Sequence, residues 1–155
     1  MKVRKFESKD AEAVSKMIIH TLRTTNIKDE SEEEIENVVS TITPQSLIER
    51  ASFTHFYLFE DNDEVIATGA IGPYWDSETE SSLFTIFVTP EYQDRGIGKL
   101  IIQTLENDYY YRRANRIEIP ASLTAVNFYK KYGYDYKNGI TTQDDEGIVR
   151  MEKFK

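Results

Sequence analysis

The chain has 155 residues, a formal net charge of −8 at pH 7 and no cysteine. This length predicts one domain, residues 1–155, with a sizeable core, and the lack of cysteine excludes disulfides, thiolate zinc sites and a cysteine nucleophile. The acidic surface argues against nucleic acid as a partner. No apolar run approaches the roughly 18 residues of a membrane span, and residues 1–6 lack the apolar core of a signal peptide, so we expect a cytoplasmic protein with no membrane partner.

The pattern of apolar residues and caps predicts a mixed order of strands and helices. Ser31 and Glu34 match a capping box, which starts a helix, and Pro44 suits the first turn of another. This order predicts a mixed α/β or α+β fold with helices packed on a sheet. In chain order we predict a strand at 2–6, helices over 11–22, from Ser31 and over 44–50, strands at 55–60, 64–74 and 82–88, a helix over 98–111, a strand at 116–119, a helix over 122–132, and strands at 133–137 and 148–154.

Two glycines stand where the fourth predicted strand, 82–88, gives way to a helix, in the stretch QDRGIGK, residues 93–99. The P-loop pattern fails because Leu100 follows Lys99 and Gln93 stands where the first glycine belongs. The dinucleotide fingerprint fails because Ile101 occupies its third glycine position. A helix N-terminus still offers unpaired N–H groups to an anion such as a pyrophosphate. The alternative is a glycine turn that only closes a tight strand-to-helix junction.

The wider stretch resembles a known signature. Residues 87–101, FVTPEYQDRGIGKLI, closely resemble the acetyl-coenzyme A signature of the GCN5-related N-acetyltransferases, or GNAT family. Residues 125–134, AVNFYKKYGY, look like a second block of that family. The resemblance is strong over 83–135 and implies the GNAT acyl-CoA N-acyltransferase fold, with a mostly antiparallel twisted sheet of about six to seven strands and about four helices.

The resemblance also implies where the acetyl-coenzyme A lies. In the family, the strand before the glycine turn splays from its neighbour and pairs with the pantetheine arm. The turn cradles the pyrophosphate, and no metal is involved. By position, these cofactor-binding residues are Ile86, Phe87 and Val88 for the pantetheine arm, and Asp94, Arg95, Gly96, Ile97, Gly98 and Lys99 for the pyrophosphate.

Two residues match catalytic positions of the family. Tyr129 matches the usual proton donor to the leaving thiolate, and an ordinary phenol is protonated near neutrality. It also falls on an apolar helical stripe, so a core aromatic is the alternative. Glu118 stands where some members carry a proton-accepting glutamate. If Ile117 and Ile119 face the core, strand alternation would turn Glu118 to solvent instead. Asn127 does not occupy the position of the asparagine with which relatives contact the cofactor.

The resemblance implies an amine acceptor that attacks the thioester carbonyl directly. The identity of this amine is expected to depend on Thr24–Ser52, Pro73–Glu80 and Gly139–Gly147. Acidic side chains in these segments favour a cationic acceptor. An acetyl-coenzyme A-binding module without turnover is the alternative function, and a homodimer formed through sheet edges is a hypothesis. The acidic residues concerned are Asp29, Glu30, Asp76, Glu78, Asp144 and Asp145.

Overall fold

The structure is a computed structural model that describes residues 1–155. The predicted fold class is confirmed: one open sheet of seven strands is flanked by six α-helices rather than about four. No helix is both long enough and apolar enough to cross a membrane. The strands are β1 (Lys2–Lys5), β2 (His55–Asp61), β3 (Glu64–Pro73), β4 (Glu80–Val88), β5 (Arg116–Ala121), β6 (Asp135–Tyr136) and β7 (Val149–Phe154). The helices are α1 (Ala11–Thr24), α2 (Glu32–Val39), α3 (Pro44–Phe53), α4 (Ile97–Glu106), α5 (Tyr109–Arg112) and α6 (Val126–Lys130).

Local sequence signals explain most of the helix boundaries. Ser31 and Glu34 form the expected capping box at the start of α2, and Pro44 opens α3. The predicted helix over 98–111 is wrong in its second half, because it is two helices. Asp108 ends the first by capping α5, where its carboxylate accepts a hydrogen bond from the Tyr110 N–H at 2.8 Å.

The sheet has the order β1-β2-β3-β4-β5-β7-β6, and only β4 and β5 are parallel. Two apolar cores fill its two faces, as expected when amphipathic helices cover a sheet on both sides. The helices α1, α2 and α3 contribute Val14, Ile18, Leu22, Ile35 and Leu47 to one core, with Phe56 and Leu58 from β2. Helix α4 contributes Ile101, Ile102 and Leu105 to the other, with Ile117 and Ile119 from β5 and Val149 and Met151 from β7.

The β4 and β5 strands pair over only three residue positions and then separate. The last pair joins Ser82 to Glu118, and the Ser82 hydroxyl donates to the Glu118 carbonyl oxygen at 3.1 Å. Beyond it, Thr85 has φ +52°, where the β3–β4 ladder also shifts register. Pro120 of β5 has no N–H to donate to a ladder. The expected splay is therefore present, and it leaves residues 83–88 of β4 facing a gap.

A cluster of buried charges lies at the closed end of this gap. Arg116 is 7% exposed, and its guanidinium pairs with carboxylates of three strands: Glu80 at 3.2 Å, Glu118 at 3.1 Å and Glu152 at 2.8 Å. Lys137 adds a 2.8 Å ion pair to Glu118. Breaking such a network leaves uncompensated buried charge, so it holds β4, β5 and β7 together where the splay begins.

Candidate active site

A cleft of about 1080 Å³ occupies the gap between the separated strands. One wall is the diverging half of β4, and the turn before α4 closes one end. The opposite wall comes from the end of β5 and from α6, and α1, α2, α3 and the loop before β7 form the far end. The β4 wall is 83–88, and the turn contributes 92–94 and 96–99. The opposite wall consists of Ile119, Pro120, Ser122, Ala125, Phe128 and Tyr129, and the far end is formed by residues within 21–54 and 145–148.

The turn before α4 presents backbone N–H groups to the cleft. None of the N–H groups from Asp94 to Lys99 donates to a turn, a loop or a side chain, and the first N–H groups of a helix have no acceptor within it. The side-chain amide of Gln93 donates to the Val88 carbonyl oxygen at 3.0 Å and to the Thr25 hydroxyl at 3.1 Å, which fixes the turn against β4 and the end of α1. The helix dipole adds partial positive charge here, so this end suits a phosphate anion.

The two glycines of the turn serve different purposes. Gly96 has φ +80°, and a Cβ added there would have no neighbour within 4 Å. Its lack of a side chain therefore permits the left-handed backbone and keeps the approach to the N–H groups open. A Cβ on Gly98 would lie 2.8 Å from the Phe128 ring. Gly98 thus lets α4 pack closely on α6, a packing role that the sequence analysis did not predict.

Eight of the nine residues predicted to bind the cofactor line the cleft. They are Ile86, Phe87, Val88, Asp94, Gly96, Ile97, Gly98 and Lys99. Arg95 does not line it. The Arg95 guanidinium instead lies over the Tyr92 ring, 4.9 Å from its centroid, in a cation–π contact.

Tyr129 is packed into the core and also reaches the cleft. Its ring is 6% exposed and packs edge-on against Phe128 and Tyr134 at centroid distances of 5.3 Å and 6.2 Å, yet the residue also lines the cleft. None of the hydrogen bonds of the chain involves its hydroxyl. Burial raises the Tyr129 pKa above the usual phenol value because it disfavours the phenolate, so the hydroxyl is a proton donor throughout the neutral range.

Glu118 lies outside the cleft. Ile117 and Ile119 are core residues, but Glu118 is only 4% exposed, so the alternative in which it faces solvent is wrong. Its carboxylate is held by the guanidinium of Arg116 and the ammonium of Lys137. Sequence alternation gave the correct face of β5 but not the charge cluster that covers it. Glu118 therefore has a structural role in the charge cluster, and it does not line the cleft.

Carboxylates collect at the far end of the cleft. Glu30 and Asp145, both predicted, line it together with Glu34 and Glu146, and a Cβ on Gly147 would lie 2.8 Å from the Glu34 carboxylate. Burial, and then the charges of Glu34 and Asp29, raise the Glu30 pKa to about 6. Residues 73–80, Asp29 and Asp144 do not line the cleft. Asp144 instead accepts hydrogen bonds from the Glu146 and Ile148 N–H groups.

Arg50 lines the cleft within the predicted acceptor segment Thr24–Ser52, but the sequence analysis did not single it out. It lies near the end of α3, and its guanidinium has no carboxylate partner. The sequence predicted α3 but gave no reason to single out one of its polar residues. What distinguishes Arg50 is its contact with Thr85, at the register shift of β4, and a sequence pattern does not reveal such a tertiary contact.

Comparison with known proteins gives relatives of one kind. An uncharacterized N-acetyltransferase, ycf52, of Gracilaria tenuistipitata var. liui is 25% identical over 104 residues, 67% of this chain and 53% of that protein. GCN5-related N-acetyltransferase 2, chloroplastic, of Arabidopsis thaliana is 29% identical over 76 residues, 49% of this chain and 27% of that protein. The chain thus spans about half, or less, of the length of these curated relatives.

Solved structures share the fold. The PaiA N-acetyltransferase of Thermoplasma acidophilum, in complex with coenzyme A, superposes with a TM-score of 0.82 at 18% identity, covering 99% of this chain and 98% of that one. A GCN5-related N-acetyltransferase of Rhodopseudomonas palustris gives 0.79 at 20% identity, with 99% and 95% covered. The family model described as "Acetyltransferase (GNAT) domain" matches residues 26–154. The chain therefore belongs to the GNAT acetyltransferase family.

Proposed function

We propose that this protein is an acetyl-CoA-dependent N-acetyltransferase that acts on a primary amine of a small molecule or protein. One observation carries the proposal: a single cleft brings together free N–H groups at a helix start, the unpaired edge of β4 and a protonated phenol. Family membership supports it, and the solved relative from Thermoplasma acidophilum is a complex with coenzyme A.

The residues of the chain fit a coenzyme A thioester along this cleft. The N–H groups of Asp94–Lys99 would hold the pyrophosphate, and the edge of Ile86–Val88 would align the pantetheine arm in a strand-like way. Acetyl-CoA supplies an acyl group on a thioester, whose sulfur leaves as a thiolate. The Tyr129 hydroxyl is the buried acid on the wall opposite β4, so we assign it to protonate that sulfur.

The far end of the cleft would receive the acceptor. Carboxylates there attract a cation, which favours an acceptor that is an ammonium in solution. The attacking nitrogen must first lose a proton. With Glu118 outside the cleft, the carboxylates that line it are the groups that can accept this proton, directly or through water. Glu30 suits the task, since its pKa of about 6 lies near the working pH.

Titration calorimetry tests the donor assignment. We expect acetyl-CoA to bind selectively, with ATP and NAD as controls of similar phosphate content. Release of free thiol on addition of single amines then tests transfer. Failure of the folded protein to bind acetyl-CoA would refute the proposal.

A binding module without turnover is the second candidate, and the position of Glu118 favours it, because the expected base is absent from the cleft. Such a module would bind acetyl-CoA and release no thiol with any amine. Replacing Tyr129 by Phe would then change nothing measurable, whereas an enzyme would keep donor affinity and lose turnover.

A further inference from the structure

The guanidinium of Arg50 is a cation on the cleft wall without a carboxylate partner. Its only side-chain hydrogen bond runs from Nη1 to the Thr85 hydroxyl at 3.1 Å. No ion pair of the chain includes Arg50. Burial lowers its pKa from the usual guanidinium value, yet a guanidinium remains charged in proteins. The side chain therefore keeps a partly desolvated positive charge that the protein does not neutralise.

This isolation is unusual for the chain. There are 27 acidic against 19 basic Lys and Arg residues, so carboxylates are in surplus. The other arginines of low exposure have at least two oxygen partners each: Arg4 pairs with Asp10 and Glu60, Arg116 with three glutamates, and Arg113, which also lacks a carboxylate, donates to the carbonyl oxygens of Ser77 and Glu80. Arg50 has the Thr85 hydroxyl alone, and of these four arginines it alone lines the cleft. Desolvating a charge with so few partners costs free energy, which marks Arg50 as a candidate for binding.

The contact with Thr85 sets the place of this charge. Thr85 stands at the register shift of β4, in the middle of the segment that leaves β5. Its own carbonyl oxygen is taken by the Thr68 hydroxyl at 2.7 Å. Arg50 therefore lines the cleft beside the middle of the separated half of β4, next to the residues proposed to align the pantetheine arm, and its remaining N–H groups have no acceptor within the protein.

We propose that Arg50 binds a carboxylate of the acceptor, so that the substrate is an amino acid rather than a simple amine. A guanidinium and a carboxylate match as two parallel charge-assisted hydrogen bonds. The inference rests on the proposed function and narrows its substrate class. Together with the carboxylates at the far end, it favours an amino acid that has a second cationic nitrogen, such as lysine or ornithine.

Acetylation of amino acids and of their primary amides tests the proposal. L-Lysine and L-lysinamide have nearly the same shape, but only the acid has the carboxylate. Amidation also lowers the basicity of the α-amine, which favours the amide chemically, so a preference for the acid reports the site. We expect kcat/KM to be at least about tenfold higher for the acid, since a desolvated charge pair contributes this much or more.

Variants of Arg50 connect the preference to the residue. In Arg50→Gln the ratio of kcat/KM for the acid to kcat/KM for the amide should fall to about one. Arg50→Lys should retain part of this preference because the charge remains. Arg23→Gln, the same change at an exposed arginine outside the cleft, should keep the full ratio. Thr85→Val removes the contact with β4 but not the guanidinium, so it should keep most of the preference.

Several outcomes would overturn the inference while leaving the proposed function intact. The first is an equal kcat/KM for acids and amides, and the second is an equal loss of kcat/KM for both in Arg50→Gln. The third is acetylation of spermidine while no amino acid is acetylated. If no amino acid is acetylated, calorimetry with CoA-saturated protein gives the answer, because absence of amino acid binding there also refutes it. Absence of acetyl-CoA binding and of any transfer would instead refute the proposed function itself.

Discussion

Replacing Tyr129 by Phe removes one oxygen atom from the cleft and should separate catalysis from stability. The hydroxyl makes no hydrogen bond in the protein, so its loss leaves no partner unsatisfied. We expect the free energy of unfolding to change by less than about 0.5 kcal/mol. A general acid contributes about 10²- to 10⁴-fold to a rate, so kcat should fall by that factor, about 3 to 5 kcal/mol of barrier.

The assay is thiol release at saturating acetyl-CoA, with donor affinity measured by calorimetry and stability by urea unfolding. Tyr134 supplies the matched control, because its ring lies 6.2 Å from that of Tyr129 and its hydroxyl is buried without a partner and outside the cleft. Tyr134→Phe should leave kcat unchanged and leave the protein equally or more stable, since it removes an unpaired buried polar group.

The pH dependence of kcat should reflect the raised pKa of Tyr129. Because burial raises the Tyr129 pKa, the phenol keeps its proton up to and beyond its usual pKa of about 10. No loss of kcat should arise from this acid between pH 6 and pH 10, roughly the range below that value. A kcat of Tyr129→Phe within about threefold of the parent, with donor binding intact, would refute the general-acid assignment, because it falls well short of what an acid contributes.

Three further changes test other parts of the structure. Gly96→Val should weaken coenzyme A binding strongly and also cost some stability, because a β-branched residue is strained at φ +80° even though its Cβ would meet no protein atom within 4 Å. Gly98→Ala should act mainly on stability, by forcing the Phe128 ring aside; unchanged coenzyme A affinity in a folded Gly96→Val variant would contradict this distinction. The KM for a cationic acceptor should fall as pH rises through about 6, where Glu30 loses its proton, and Glu30→Gln should flatten this profile. Asp108→Ala should destabilise the protein by about 3 kcal/mol, measured by urea unfolding, because this carboxylate is 2% exposed and accepts hydrogen bonds from three groups.

The sequence predicted those parts of the fold that depend on residues close together along the chain. Apolar periodicity, the capping box at Ser31 and Pro44 placed the helices, and the glycine turn placed the start of α4. The break at Asp108 was missed because the apolar pattern runs on through residues 109–111. A single aspartate that prefers a capping position ended the helix there, and its carboxylate is stabilised by His55 and Tyr57 of β2, which lie more than 50 residues away.

The donor half of the site was more predictable than the acceptor half. The turn of residues 93–99 forms a continuous motif, so sequence reading found most of it. Arg95 does not line the cleft, and its guanidinium lies over the ring of Tyr92. Glu118 and Arg50 depend on which side chains from other elements surround them, and this is decided by packing across the sheet rather than by spacing along the chain.

The early separation of β4 from β5 has a consequence for how this protein can diverge. The groups that suit the donor are main-chain N–H groups and a strand edge, which every residue type supplies except proline. Substitution of the side chains around them, apart from the two glycines of the turn, would therefore leave these groups in place as long as the backbone is kept. The far end depends on side chains such as Glu30 and Arg50, so a few substitutions there would be enough to redirect the same scaffold to another acceptor.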